Sequence, residues 1–195
     1  MTLLFVFGPP AVGKMAVGRA IAQASDFRLF HNHATIEPLL DVFDYGTPAF
    51  FRLSGEMRHR ILEEAAAADV NLVQTYAWAL DEPEDAEAVE AYLQVFVDAG
   101  REARLVELYA DLDTRLARNG TAYRLSEKKS KRDLAWSDDN VRSLEQYQLN
   151  TGIPSVGDAV IERHPHLRID NTDRSPEDVA EEVLAWCEQP STLPS

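Results

Sequence analysis

Apolar positions follow two rhythms that alternate along the chain. Leu3-Leu4-Phe5-Val6-Phe7 is an unbroken apolar run, as expected for a central strand covered on both faces. Lys14 to Ala24 reads as a helix and Phe27 to Phe30 as a short second strand. Glu56 to Ala68 is helical by composition and leads into a third strand, Val70 to Gln74. From Glu82 to Ala99 the apolar residues Val89, Leu93, Phe96 and Val97 recur at helical spacing. Carboxylates fill the early turns of that helix, where its dipole favours them, and Gly100 supplies a stop. Ala103 to Tyr109 alternates as a fourth strand, and His166 to Ile169 makes a fifth. Ser175 then stands as N-cap, with Pro176 at the first position of a last helix. Strands alternating with helices predict an α/β fold of three layers, a five-stranded parallel sheet with helices on both faces.

Length adds that one core suffices: 195 residues fit a single domain, taken as 1–189, with 190–195 a frayed tail. A net charge of −14 and a pI near 4.7 argue against nucleic acid or an anionic membrane as partner. The lone Cys187 cannot form an internal disulfide, and no stretch approaches the about 20 apolar residues that cross a bilayer. The opening run lacks the charged start of a secretory signal, so a cytoplasmic location is expected. Positive charge collects in one place, residues 115–132, which hold Arg115, Arg118, Arg124, Lys128, Lys129, Lys131 and Arg132.

Chemistry enters with Gly8-Pro9-Pro10-Ala11-Val12-Gly13-Lys14, which lies between the first strand and the first helix. A bound phosphate needs convergent backbone N–H groups, a helix N-terminus aimed at it, and a cation that reaches the outer phosphates. This segment supplies all three, and its context is the one a Walker A loop requires, so ATP is the expected nucleotide. Mg²⁺ is less well provided for. The hydroxyl residue that ordinarily follows the lysine is replaced by Met15, with Ala16 next.

Beyond the loop, His31-Asn32-His33-Ala34-Thr35-Ile36-Glu37 has the frame of the Asp-x-Asp-x-x-Ile-Glu motif of shikimate kinases, with both aspartates replaced by histidine. Gly55-Glu56-Met57-Arg58-His59-Arg60-Ile61-Leu62-Glu63 similarly matches Gly-Glu-x-x-Phe-Arg-x-x-Glu except at His59. The chain thus resembles shikimate kinase and its adenylate kinase-like relatives among the P-loop small-molecule kinases. That resemblance implies a helical lid near 115–132 bringing Arg118 and Arg124, with Arg115 next, over the phosphates. It implies that Arg60 holds an anionic group of the acceptor, and that Asn171 and Thr172 flank the adenine. Thr75-Tyr76-Ala77-Trp78 replaces the family's glycine-rich turn, which points away from shikimate itself.

The expected activity is transfer of a phosphoryl group from ATP to a small metabolite. Lys14, Arg118 and Arg124 would neutralise charge, and His33 would receive the acceptor's proton. Its alternatives are a nucleoside monophosphate kinase, or a nucleotide-binding protein with little transferase activity. His31 and His33, read as two apart in extended chain, either line the acceptor site or serve structure. A metal site would draw on His59 as well, but none is expected. Arg60 either holds the acceptor or pairs with Glu56 or Glu63 on its own helix. Tyr76, Trp78 and Trp136 either line a pocket or fill the core. A monomer or homodimer is expected.

Overall fold

The computed structural model describes residues 1–119 and 134–190. Strands β1 (Thr2–Phe7), β2 (Arg28–Phe30), β3 (Leu72–Thr75), β4 (Glu102–Tyr109) and β5 (His166–Asp170) run parallel in one sheet. Their order is β2-β3-β1-β4-β5, which puts the most apolar strand at the centre. Between them run α1 (Lys14–Ala24), α2 (His33–Leu40), α3 (Pro48–Ala67), α4 (Pro83–Asp98) and α5 (Leu112–Asn119). After the undescribed residues come α6 (Leu134–Ser143), a 3₁₀ turn (Leu144–Gln146), the short α7 (Asp158–Ile161) and α8 (Pro176–Cys187).

Side chains of β1 alternate between two cores. Leu3, Phe5 and Phe7 meet α3, α4 and α7 through Leu62, Val89, Leu93, Phe96 and Val160. Leu4 and Val6 meet α1 and α8 through Val17, Ile21, Val179 and Val183. All five β1 residues from Leu3 to Phe7 are fully buried, and each contributes about 2 kcal/mol by leaving water. The expected three layers are therefore present, and among the described residues no helix is long and apolar enough to cross a membrane.

Two elements depart from the expectation. The chain after β2 is not extended: His33 opens α2, a helix that tolerates Pro38 in its interior, so His31 and His33 do not share one side of a strand. Helix α3 begins at Pro48 rather than Glu56, capped by the Thr47 hydroxyl, which accepts from the Phe50 N–H at 3.3 Å. Gly55 falls inside this helix, although glycine ordinarily marks an end. At the other end, the Ser175 cap and Pro176 stand as expected, the Asp178 N–H donating to the Ser175 hydroxyl at 3.1 Å.

Strand β4 carries two charged residues into the interior, Arg104 and Glu107. Glu107 is fully buried and accepts from Asn150 Nδ2 at 2.8 Å and from the Thr151 N–H and hydroxyl at 2.9 and 2.7 Å. His166 Nε2 lies 3.0 Å away, and the Arg168 guanidinium 3.3 Å away. Burial works against its charge, but the hydrogen bonds from His166, Thr151 and Asn150 outweigh burial and hold the carboxyl below its ordinary range. The segment after the 3₁₀ turn is thereby fastened to the end of β4.

Candidate active site

The chain leaves β1 toward β2 on one side and leaves the neighbouring β3 toward β4 on the other, so a crevice opens at their carboxyl ends. The loop 8–14 occupies that crevice. Gly8 turns the chain at φ 133°, and a Cβ there would stand 2.3 Å from the Leu108 carbonyl oxygen. Ala11 follows at φ 64° and Gly13 at φ 109°, directly before Lys14 starts α1. These left-handed turns aim successive N–H groups inward, and the first turn of α1 adds donors that have no partner within the helix. Lys14 arches back over the loop, its ammonium donating to the Gly8 and Pro9 carbonyls at 2.5 and 2.8 Å. Pro10 lies within the same loop, and Met15 and Ala16 continue the first turn of α1 without offering an oxygen ligand.

What holds the loop in this shape comes from distant sequence. The Val12 carbonyl accepts from Arg118 at 3.1 Å and from Asn171 Nδ2 at 2.8 Å. Arg118 also donates to the Asn171 and Thr172 carbonyls at 2.7 and 2.9 Å. Thr172 is joined to α5 through the Asp111 N–H, 3.4 Å from its hydroxyl. Arg118 thus ties together the loop, the end of α5 and the turn after β5. Arg115 is buried and turned elsewhere, donating to the Ala110 carbonyl at 3.1 Å and to Glu145 at 2.9 Å. Arg124 and the lid beyond residue 119 lie outside the described residues, and only the backbone of Trp136 is described.

A second group of polar side chains gathers at the ends of β2 and β3. The Asn32 N–H donates to the Thr75 hydroxyl at 3.1 Å, and its side-chain oxygen accepts from Arg58 at 2.8 Å. Arg58 is 8% exposed, and its guanidinium lies 5.3 Å from the centre of the Tyr76 ring. Tyr76 is fixed by its N–H to the Val6 carbonyl at 2.9 Å. Burial, then the nearby Asp85, push its phenol far above the ordinary range, so it stays a hydroxyl at neutral pH. Asp85 is itself raised by burial, against the opposing Ala79 N–H.

His33 follows Asn32 at the start of α2, with its Nδ1 3.2 Å from Glu37, and His31 is two residues before it. Arg60 points the other way: it is 69% exposed and pairs with Glu63 at 3.0 Å and with Glu64. On the same helix it is Arg58 that enters the crevice, and the sequence reading passed it over. Its signal was phase, because Phe50, Ser54, Arg58, Leu62 and Ala66 form the buried stripe of α3 and Arg58 is the charge on it. His59 pairs with Glu63 at 3.5 Å, and among the described residues no three His, Cys, Asp or Glu side chains converge as a metal site. Trp78 is core, fully buried with its ring 5.1 Å from that of Phe7.

Sheet order, central loop and flanking helices define the fold of the P-loop kinases. No protein-family model and no curated protein matches the chain. Solved structures do. An APS kinase of Mycobacterium tuberculosis, in complex with AMPPNP and APS, superposes with a TM-score of 0.61 at 16% identity, covering 96% of this chain and 98% of that one. A shikimate kinase of Acinetobacter baumannii, with shikimate, gives 0.56 at 18% identity over 95% and 92%. A gluconokinase of Sinorhizobium meliloti gives 0.55 at 15% identity over 94% and 90%.

Proposed function

We propose that the protein is an ATP-dependent phosphotransferase acting on a small metabolite. The observation that carries this reading is the backbone of 8–14, turned at Gly8, Ala11 and Gly13 at the carboxyl end of the central strand, with Lys14 at the head of α1. Gly8 to Gly13 would cradle the phosphates, with Met15 and Ala16 in the helix turn below them. Lys14 exchanges the Gly8 and Pro9 carbonyls for phosphate oxygens, a swap of acceptors that needs only rotation of its side chain. Arg118, Asn171 and Thr172 border the nucleotide side of the loop, and Arg124 is assigned to the phosphates from the lid. Met15 and Ala16 do not fit a direct Mg²⁺ ligand, so the ion accompanying ATP would be held by phosphate oxygens and water. A cytoplasmic location, where ATP is plentiful, suits this chemistry.

On the acceptor side Arg58 supplies a cation, in place of the outward Arg60, whose role is confined to the rim. Glu37 at Nδ1 fixes the His33 tautomer so that Nε2 can take the acceptor's hydroxyl proton, with His31 beside it. The nucleotide half is tested by thermal denaturation with ATP: at about 100 times Kd, wild type gains about 2.7 kcal/mol, and Lys14→Ala should lose most of this. A full shift in the mutant would move the site elsewhere. For the acceptor half, ADP release is screened against added metabolites. His33→Asn should lower kcat about 100-fold or more at unchanged ATP affinity, and Arg58→Gln should raise the acceptor's KM. ATP binding without acceptor-dependent turnover would favour the binding-protein alternative, to which Met15 and Ala16 lend support.

A further inference from the structure

Helix α5 is seated by polar bonds where α1, α3, α4 and α8 are seated by apolar packing. Its buried residues are Arg115 and Asn119, four apart and so on one stripe. Among the described residues, neither apolar core takes a side chain from α5, whereas each of those four helices supplies several. Apolar packing has no preferred direction, so a helix seated that way keeps its place when one contact changes. A helix seated on hydrogen bonds has its height and rotation set by each of them.

Those bonds run along the whole of α5. At its start Asp111 accepts from the Thr114 N–H and hydroxyl at 2.7 and 2.9 Å. On the buried stripe Arg115 donates to Glu145 of the 3₁₀ turn at 2.9 Å, and Asn119 donates to Asp138 of α6. On the neighbouring stripe Arg118 reaches the Val12 carbonyl of loop 8–14. Arg115 and Arg118 are about 4.5 Å apart along the axis at 1.5 Å per residue, so a movement of α5 at one is felt at the other.

Glu145 is a fixed point for this helix. Three residues on, the Gln148 carbonyl accepts from the Leu80 N–H at 2.7 Å, and the Gln148 N–H donates to Asp81 at 2.9 Å. Asn150 and Thr151 are fastened to Glu107 of β4. Arg115 is 4% exposed, and a cation at that depth needs a carboxylate to offset its desolvation. The pair therefore pins α5 to a segment that is itself pinned to the sheet, and it does so on the side turned away from loop 8–14.

We infer that Arg115 and Glu145 are positioning residues for nucleotide binding, acting through Arg118: their ion pair sets the place of α5 from which Arg118 holds the Val12 carbonyl. The inference rests on the reading of loop 8–14 as the ATP site. The sign of one substitution separates this role from direct contact. Were Arg115 a ligand of the phosphates, Glu145→Ala would release it toward them and tighten ATP. As a positioning pair, Glu145→Ala should weaken ATP at least about fivefold in calorimetric titration of the full chain. Arg115→Met, which leaves no unpaired charge buried, should weaken it to a similar degree. Neither change should add to the loss in an Arg118→Met background, because all three act through one contact. Without nucleotide, the ¹⁵N resonance of Gly13, whose nitrogen is bonded to the Val12 carbonyl carbon, should move in the same direction in all three variants.

Tighter or unchanged ATP binding in Glu145→Ala, or losses that add to that of Arg118→Met, would overturn the inference. So would a Gly13 resonance that Arg118→Met moves and Glu145→Ala and Arg115→Met leave in place. If that resonance obeys all three variants while ATP gives no Lys14-dependent stabilisation, the linkage from Arg115 to the loop stands and the ATP reading falls.

Discussion

At Gly8 the chain has no room for a side chain, since an added Cβ meets the Leu108 carbonyl at 2.3 Å and the φ of 133° is strained for any other residue. Gly8→Ala should therefore cost about 3 kcal/mol, lower Tm by about 6–12 °C, and abolish ATP-induced stabilisation, as a thermal melt with and without nucleotide will show. Met15 makes the opposite kind of prediction, a gain. Because its side chain offers Mg²⁺ nothing, ATP affinity should depend weakly on the metal, and Met15→Ser should strengthen that dependence in paired calorimetric titrations. A large Mg²⁺ effect in the wild type would mean that another oxygen does the work. The turned backbone of loop 8–14 could be read from sequence because its residues are contiguous and its glycines have no substitute. Arg58 could not, because Arg60 carries the same charge two positions away and only the phase of the helix separates them.

Among the elements, the strands and the outer helices were legible because burial on both faces writes itself as uninterrupted or periodic apolar residues. Helix α2 was not: a helix of eight residues with Pro38 inside it has too few turns to show a period. Gly55 hid the first part of α3 for a different reason, because a glycine inside a helix reads in sequence as a stop. Arg118 belongs to this scale, because it joins α5 to loop 8–14 and to the turn after β5 through three carbonyls. Its resemblance to a lid arginine gave the residue and not this contact. One planar guanidinium makes all three bonds, and an ammonium cannot match that spread. Arg118→Lys should accordingly weaken ATP binding nearly as much as Arg118→Met, measured by titration. Rescue of the affinity by lysine would instead show that only the charge matters. Ser175→Ala, which removes the cap of α8, should cost about 1 kcal/mol in urea denaturation and leave nucleotide binding intact.

Taken whole, the molecule carries a formal charge of −14, and under the proposed function it would have to receive another anion. Salt screens that repulsion, so the association rate of ATP should rise with ionic strength in stopped-flow measurements, the reverse of the behaviour of a basic nucleotide site. Glu107 contributes to the response to acid. Its carboxyl gives up its proton more readily in the folded chain than the ordinary value of 4.5, so its contribution is present above that value and fades as pH falls through the lower folded one. Glu107→Gln should cost about 3 kcal/mol at neutral pH and less in acid, by urea denaturation at each. A further consequence lies in the reach of the contact between Asn171 and Val12, which are 159 residues apart. The glycines of loop 8–14 are translated well before Asn171, so their final shape waits for a segment made much later. A chain arrested before β5 carries the whole loop and Arg118 yet lacks Asn171 and Thr172, and should hold ATP more weakly than the full chain in a titration. Under the proposed function, nucleotide affinity would be complete only once the turn after β5 has been made.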